Sequence, residues 1–161
     1  MEDEKLLEGK KILIVDDEPD ILEMLEELLF MCDVVRATNF QEAKRELETR
    51  HFDMAVLDIM GVGGYQLLEI ANGKNIPAVM LTAHALSPED TVKSFKEGAA
   101  SYVPKDRIVD IQDYLADILK AQKKGKNARW LWLKKLASYY DQKFGPDWKR
   151  SDEKFWEKFV K

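Results

Sequence analysis

Five side chains in this 161-residue chain are of the types that handle a phosphoryl group, and each stands at the end of a short apolar run. Asp16 and Asp17 close ILIVDD, Asp58 closes MAVLD, Thr82 closes VMLT and Lys105 closes SYVPK. A carboxylate can attack as a nucleophile, further carboxylates can hold a hard cation, and a hydroxyl and an ammonium can each take an anionic oxygen. Singly these residues are ordinary. Two aspartates are common where a strand yields to a helix, a threonine suits a strand, and a lysine suits a solvated loop. Their shared position at the same end of successive runs is what points to one pocket.

Three carboxylates converging on one crevice raise one another's pKa unless a cation compensates. Magnesium fits, because it takes oxygen ligands, keeps several waters and uses one or two carboxylates together with phosphate oxygens.

Bringing these residues together requires a parallel sheet. From residue 11 to 122 short apolar runs (KILIVD, VVRAT, MAVLDI, PAVMLTA, SYVP) alternate with helix-period segments, the pattern of an α/β doubly wound domain. In such a sheet the carboxyl ends of strands one and three face a crevice where the strand order reverses. The first helix is expected from Pro19 to about Met31 with Ile21, Leu25, Leu28 and Cys32 on its buried stripe. The second, near Gln41 to Arg50, buries Ala43 and Leu47, and the third, near Tyr65 to Ala71, offers Leu67, Leu68 and Ile70. Ser87 and Pro88 start the fourth and Gly98 ends it; the fifth carries Ile108, Ile111, Leu115 and Ile118 or Leu119.

Composition removes several classes. Apolar residues make up 45% of the chain and charged residues 34%, the longest apolar runs are strand-sized, and no membrane span is expected. The acidic start MEDEKLLEGK lacks the features of a secretory signal, so a cytoplasmic location is expected. Cys32 is the single cysteine and His51 and His84 the two histidines, which excludes an intrachain disulfide and argues against a Cys/His zinc site. The net charge of −5 hides a split: residues 1 to 122 hold 13 basic and 25 acidic residues, residues 123 to 161 hold 12 and 5.

With ILIVDDEPD, VLDI, LTAH and GAASYVPK in order, residues 10 to 122 resemble the receiver domain of two-component response regulators, the CheY-like superfamily. The resemblance implies a five-stranded parallel sheet in the flavodoxin-like order 2-1-3-4-5. It implies Asp58 as phosphoacceptor from a histidine kinase or phosphotransfer protein, Mg2+ held by Asp16, Asp17, Asp58 and the Met60 backbone carbonyl, and Thr82 and Lys105 on the phosphoryl oxygens. It also implies a switch in which Thr82 moves toward the phosphoryl group and Tyr102 turns inward, repacking the face formed by strand five and the helices on either side of it. The expected role is a phosphorylation-switched, stand-alone response regulator acting through a downstream protein target, and not an enzyme beyond loss of its own phosphoryl group.

Three departures stand against that pattern. The connection IMGVGGYQLL is short, glycine-rich and without the family's proline; Asp106 replaces a proline that follows the family's lysine through a cis bond; His84 and Met60 flank the site as expected modulators of attack by water. A non-proline cis bond costs about 3 kcal/mol, so Lys105-Asp106 is expected to be trans. The altered loop and Asp106 motivate one alternative, a phosphorylation-independent pseudo-receiver scaffold. A phosphatase of the haloacid dehalogenase type is disfavoured, because its two acids are separated by one residue and these are adjacent.

Ahead of the receiver segment residues 1–9 form a lead, and behind it residues 123–161 form a basic extension with all four tryptophans. NARWLWLKKLASYYDQKF reads as an amphipathic helix with Leu133, Leu136 or Ala137, Tyr140 and Phe144 on one stripe; GPDW breaks it, and Ser151 and Asp152 start a second helix through Phe159. So much aromatic surface calls for burial on the receiver or across a homodimer. Nucleic-acid or anionic-membrane binding by the extension is the alternative, disfavoured because five acids interrupt it and it is too short for the usual DNA-binding module.

Overall fold

The computed structural model describes residues 2–83, 87–126 and 128–159, with the side chains of Trp130 and Ser151 outside that description. Five parallel strands, β1 (Lys11–Val15), β2 (Asp33–Ala37), β3 (Met54–Asp58), β4 (Ala78–Thr82) and β5 (Ser101–Pro104), form one sheet in the order β2-β1-β3-β4-β5. Every residue of β3, β4 and β5 is buried, as are Ile12 to Val15 of β1, because helices cover both faces.

The helices of the α/β units are α2 (Pro19–Leu28), α3 (Phe40–Thr49), α4 (Gly64–Gly73), α5 (Pro88–Lys96) and α6 (Ile111–Lys123), and a 3-10 turn over Lys105–Asp110 leads into α6. Pro19 and Pro88 occupy first-turn positions, and the Ser87 hydroxyl accepts the Asp90 amide as an N-cap. Gly98 turns the chain out of α5 at φ 99°. Two stripes differ from expectation. On α2 the fully buried residues are Leu22, Leu25 and, just past its end, Leu29, whereas Ile21, Leu28 and Cys32 are half-buried. On α4 Ala71 takes the buried place expected for Ile70, beside Leu67 and Leu68. In both the buried stripe is shifted by one residue at some positions, which a 3.6-residue period alone does not resolve when adjacent positions are apolar.

The lead contains a helix that its charged sequence did not suggest, α1 (Glu2–Leu7). Leu7 is fully buried, its carbonyl faces the Cys32 thiol at 3.4 Å, and Asp3 pairs with Lys120 of α6 at 3.2 Å.

The extension is helical, with α7 (Arg129–Phe144), a 3-10 turn over Trp148–Asp152 and α8 (Glu153–Phe159), whose first turn is capped by the Asp152 carboxylate accepting the Phe155 amide. The buried stripe of α7 is Trp132, Leu136 and Tyr140, spaced by four; Leu133, Ala137 and Phe144 are half-buried. The expected stripe was therefore displaced by one residue at its start, because Trp132 fills more volume than Leu133. The extension packs on β5 and α5 of the same chain. Among the described residues no helix is long and apolar enough to cross a membrane.

Candidate functional site

Strand register lines up the chemistry. Val15 pairs with Leu57, so the next residue, Asp16, emerges beside Asp58; Asp58 pairs with Leu81, which sets Thr82 one step on; and Thr82 pairs with Pro104, which delivers Lys105. All lie at the carboxyl edge where the sheet order reverses between β1 and β3. The adjacent aspartates then part company. Asp16 is fully buried, with Oδ1 accepting the Glu18 amide at 2.9 Å, while Asp17 is exposed at the rim.

Lys105 lies in the middle of the acids. Its ammonium is 3.0 Å from Asp16 Oδ2, 3.2 Å from Glu18 Oε1 and 3.6 Å from Asp58 Oδ1. The contact with Asp16 Oδ2 is close enough for charge pairing, yet that buried oxygen has no well-directed hydrogen bond, so one acceptor is left under-satisfied. Carboxylate oxygens of Asp16, Asp17 and Glu18 lie within 4.8 Å of one another; Asp58 stands outside that trio and meets it through Lys105. Glu18 was not singled out in the sequence, although its place directly after the aspartate pair was a usable signal.

Burial and crowding of like charge shape the titration. Burial, then the charge of Asp16, push the Asp58 carboxyl up to about 6, with Lys105 offsetting part of the effect. Burial also raises Asp16 above the usual carboxylate range, against the opposing Glu18 amide and Lys105. Burial opposes the Lys105 charge, but its close pairing with Asp16 and the charges of Asp16 and Asp58 prevail and hold the ammonium above its ordinary value.

The remaining residues fall around this centre. Thr82 is buried at the end of β4, and Tyr102 is fully buried on β5. Met60 sits in the loop after β3 with its side chain exposed, and His84 lies outside the described residues. No cis peptide bond occurs among the described residues, so Lys105-Asp106 is trans. The glycine-rich loop has a steric reason. Gly61 has φ 87°, and a Cβ there would stand 2.6 Å from Asp17 Oδ2; at Gly64 it would stand 2.3 Å from the Asp58 carbonyl oxygen. The missing proline is thus replaced by glycines that let the loop close over the two acidic positions.

The family model for the response regulator receiver domain matches residues 12–116. The two-component response regulator ARR18 of Arabidopsis thaliana is 34% identical over 104 residues, covering 60% of this chain and 16% of that protein. The probable transcriptional regulator ycf27 of Cyanophora paradoxa is 38% identical over 101 residues, covering 60% and 42%. Among solved structures, a CheY-like receiver domain protein from Methanospirillum hungatei superposes with a TM-score of 0.65 at 28% identity, covering 73% of this chain and 98% of that one. The fold is that of a two-component receiver, and the chain belongs to the response regulator receiver domain family. It spans less than half the length of the curated relatives named here.

Proposed function

We propose that this receiver is switched by phosphorylation of Asp58, with a histidine kinase or phosphotransfer protein as donor and a downstream protein as reader. The observation that carries the reading is the convergence of Lys105 on Asp16 and Asp58 at the strand-order reversal. An Asp58 carboxylate oxygen attacks phosphorus, a new O–P bond forms, and the donor's P–N or P–O bond breaks with its electron pair leaving on the donor. Lys105 needs only a small movement from Asp16 to reach an oxygen of the transferred group, and Thr82 offers a hydroxyl from the next strand.

The residues fit magnesium on two grounds: Asp16, Asp17 and Glu18 offer hard carboxylates within reach of one another, with Asp58 beside them across Lys105, and a buried Asp16 oxygen lacks a directed partner. Asp16, Asp17, Asp58 and the Met60 carbonyl would hold it, with Glu18 at the edge. When bound, magnesium supplies charge neutralisation for the phosphoryl oxygens. This chain's own part is to strip water from Asp58 by burial, keep a cation beside it and release Asp16 from Lys105. The receiver acts as a signalling switch in the cytoplasm, with loss of its own phosphoryl group as its catalysis.

Fluorine NMR with beryllium fluoride, a phosphoryl mimic, tests the pocket. Bound fluoride resonances should appear with magnesium in the native chain and be missing in Asp58→Asn; their absence from the native chain would favour the scaffold reading.

A further inference from the structure

The extension is seated on the very elements next to the proposed phosphorylation site. Trp132 donates its indole N–H to the Tyr102 carbonyl at 2.7 Å, using a backbone acceptor of β5, the edge strand of the sheet. The Tyr140 hydroxyl is 2.6 Å from Thr91 Oγ1 of α5 and also bonds the Tyr102 side chain. Phe95 of α5 meets Trp132 and Phe159 edge-on, each at 4.8 Å between ring centres. Trp132, Tyr140 and Phe159 are almost wholly buried, so this is a packed interface in which the Trp132 and Tyr140 polar groups are paired, while the buried Trp156 indole N–H has no partner among the described residues.

One contact reaches further. The Tyr139 hydroxyl donates to Asp106 Oδ2 at 3.0 Å, and the Arg107 guanidinium lies 5.1 Å from the Tyr139 ring centre. Asp106 directly follows Lys105, whose ammonium is shared among Asp16, Glu18 and Asp58. A doubly charged phosphoryl group on Asp58 would draw Lys105 away from Asp16 and Glu18, and the backbone that carries Lys105 also carries the Asp106 bond to Tyr139 and, three residues earlier, the Tyr102 attachments.

We infer that residues 129–159 are a resident intramolecular partner of the α5–β5 face whose docking opposes phosphorylation of Asp58, the link running from Lys105 through Asp106 to Tyr139 and through β5 to Tyr140. This rests on the phosphorylation reading given above. Coupling of this kind is reciprocal: whatever docking takes from phosphorylation, phosphorylation takes from docking. An outside protein reader of the α5–β5 face then meets it only after the extension has loosened.

The experiment is hydrogen exchange on the full chain, with and without acetyl phosphate and magnesium, with intact mass recorded in parallel. Faster exchange of amides in 129–144 in the phosphorylated fraction is the expected result. The double variant Tyr139→Phe/Tyr140→Phe keeps both rings and removes both hydroxyls; it should phosphorylate about fivefold or more faster, the lower end of ordinary allosteric couplings. An adduct that forms while exchange in 129–144 stays the same or slows, with the variant phosphorylating at the native rate, would overturn this inference and leave the phosphorylation reading standing. No adduct at all would overturn both.

Discussion

Asp58 in the metal-free protein carries a folded-state pKa near 6 against an ordinary 3.8, so the native chain holds more protons than the unfolded chain between those values. The contribution of Asp58 to stability then falls as pH rises from about 4 to about 6 and stays lowered above it. Asp58→Asn keeps the shape and removes the charge. In chelator at pH 7.5 it should gain roughly 2 kcal/mol in urea unfolding, and the slope between pH 4 and 6 should flatten; an equal or lower stability would contradict the account of burial and crowding. At Gly61 the backbone is left-handed at φ 87°, and a methyl group there would push the exposed Asp17 carboxylate aside. Gly61→Ala should cost about 1 to 2 kcal/mol and weaken magnesium binding, measured by a smaller magnesium-induced rise in Tm. The five chemical residues were legible because each ends an apolar run. Glu18 was missed although it directly follows the aspartate pair, and the part played by Gly61 was not legible, since it depends on how the rim folds back over the aspartates.

At the scale of elements, α7 tests how the extension is held. Trp132→Ala removes a fully buried ring that touches Phe95, Tyr140, Trp156 and Phe159, and should cost about 3 to 5 kcal/mol. If the extension opens on its own, the loss will show as rapid exchange in 129–159 while β1 to β4 keep their protection; a uniform loss across the sheet would mean that extension and receiver unfold as one unit. Strand and helix identities were readable from period and punctuation: Ser87-Pro88 and Gly98 bound α5 as expected. On α2, α4 and α7 Leu25, Leu67, Leu68, Leu136 and Tyr140 are buried as expected, while other stripe positions were read one residue off, because adjacent apolar side chains are not separated by periodicity. Helix α1 was hidden because its six residues carry a single fully buried side chain, Leu7, and its stability comes from contact with α6.

Across the whole molecule, the acidic receiver and the basic extension do not simply attract. Lys135 pairs with Asp117 at 2.6 Å, but Lys96 of the receiver pairs with Asp152 of the extension at 3.3 Å, so specific geometry and aromatic burial decide the docking. The sequence implied a packed extension, but which face it covers could not be read, because that depends on pairs such as Trp132 with Tyr102 that lie 30 positions apart. Binding of magnesium to the folded pocket alone should stabilise the entire receiver, by about 2.7 kcal/mol at a hundred times the dissociation constant, reversed by chelation.

The central claim is that Asp58 takes up a phosphoryl group, and intact mass after incubation with acetyl phosphate tests it most directly. The account predicts one added phosphoryl group per chain, dependent on magnesium, labile in base and missing from Asp58→Asn. No adduct in the native chain, or an adduct of equal extent in Asp58→Asn, would contradict it.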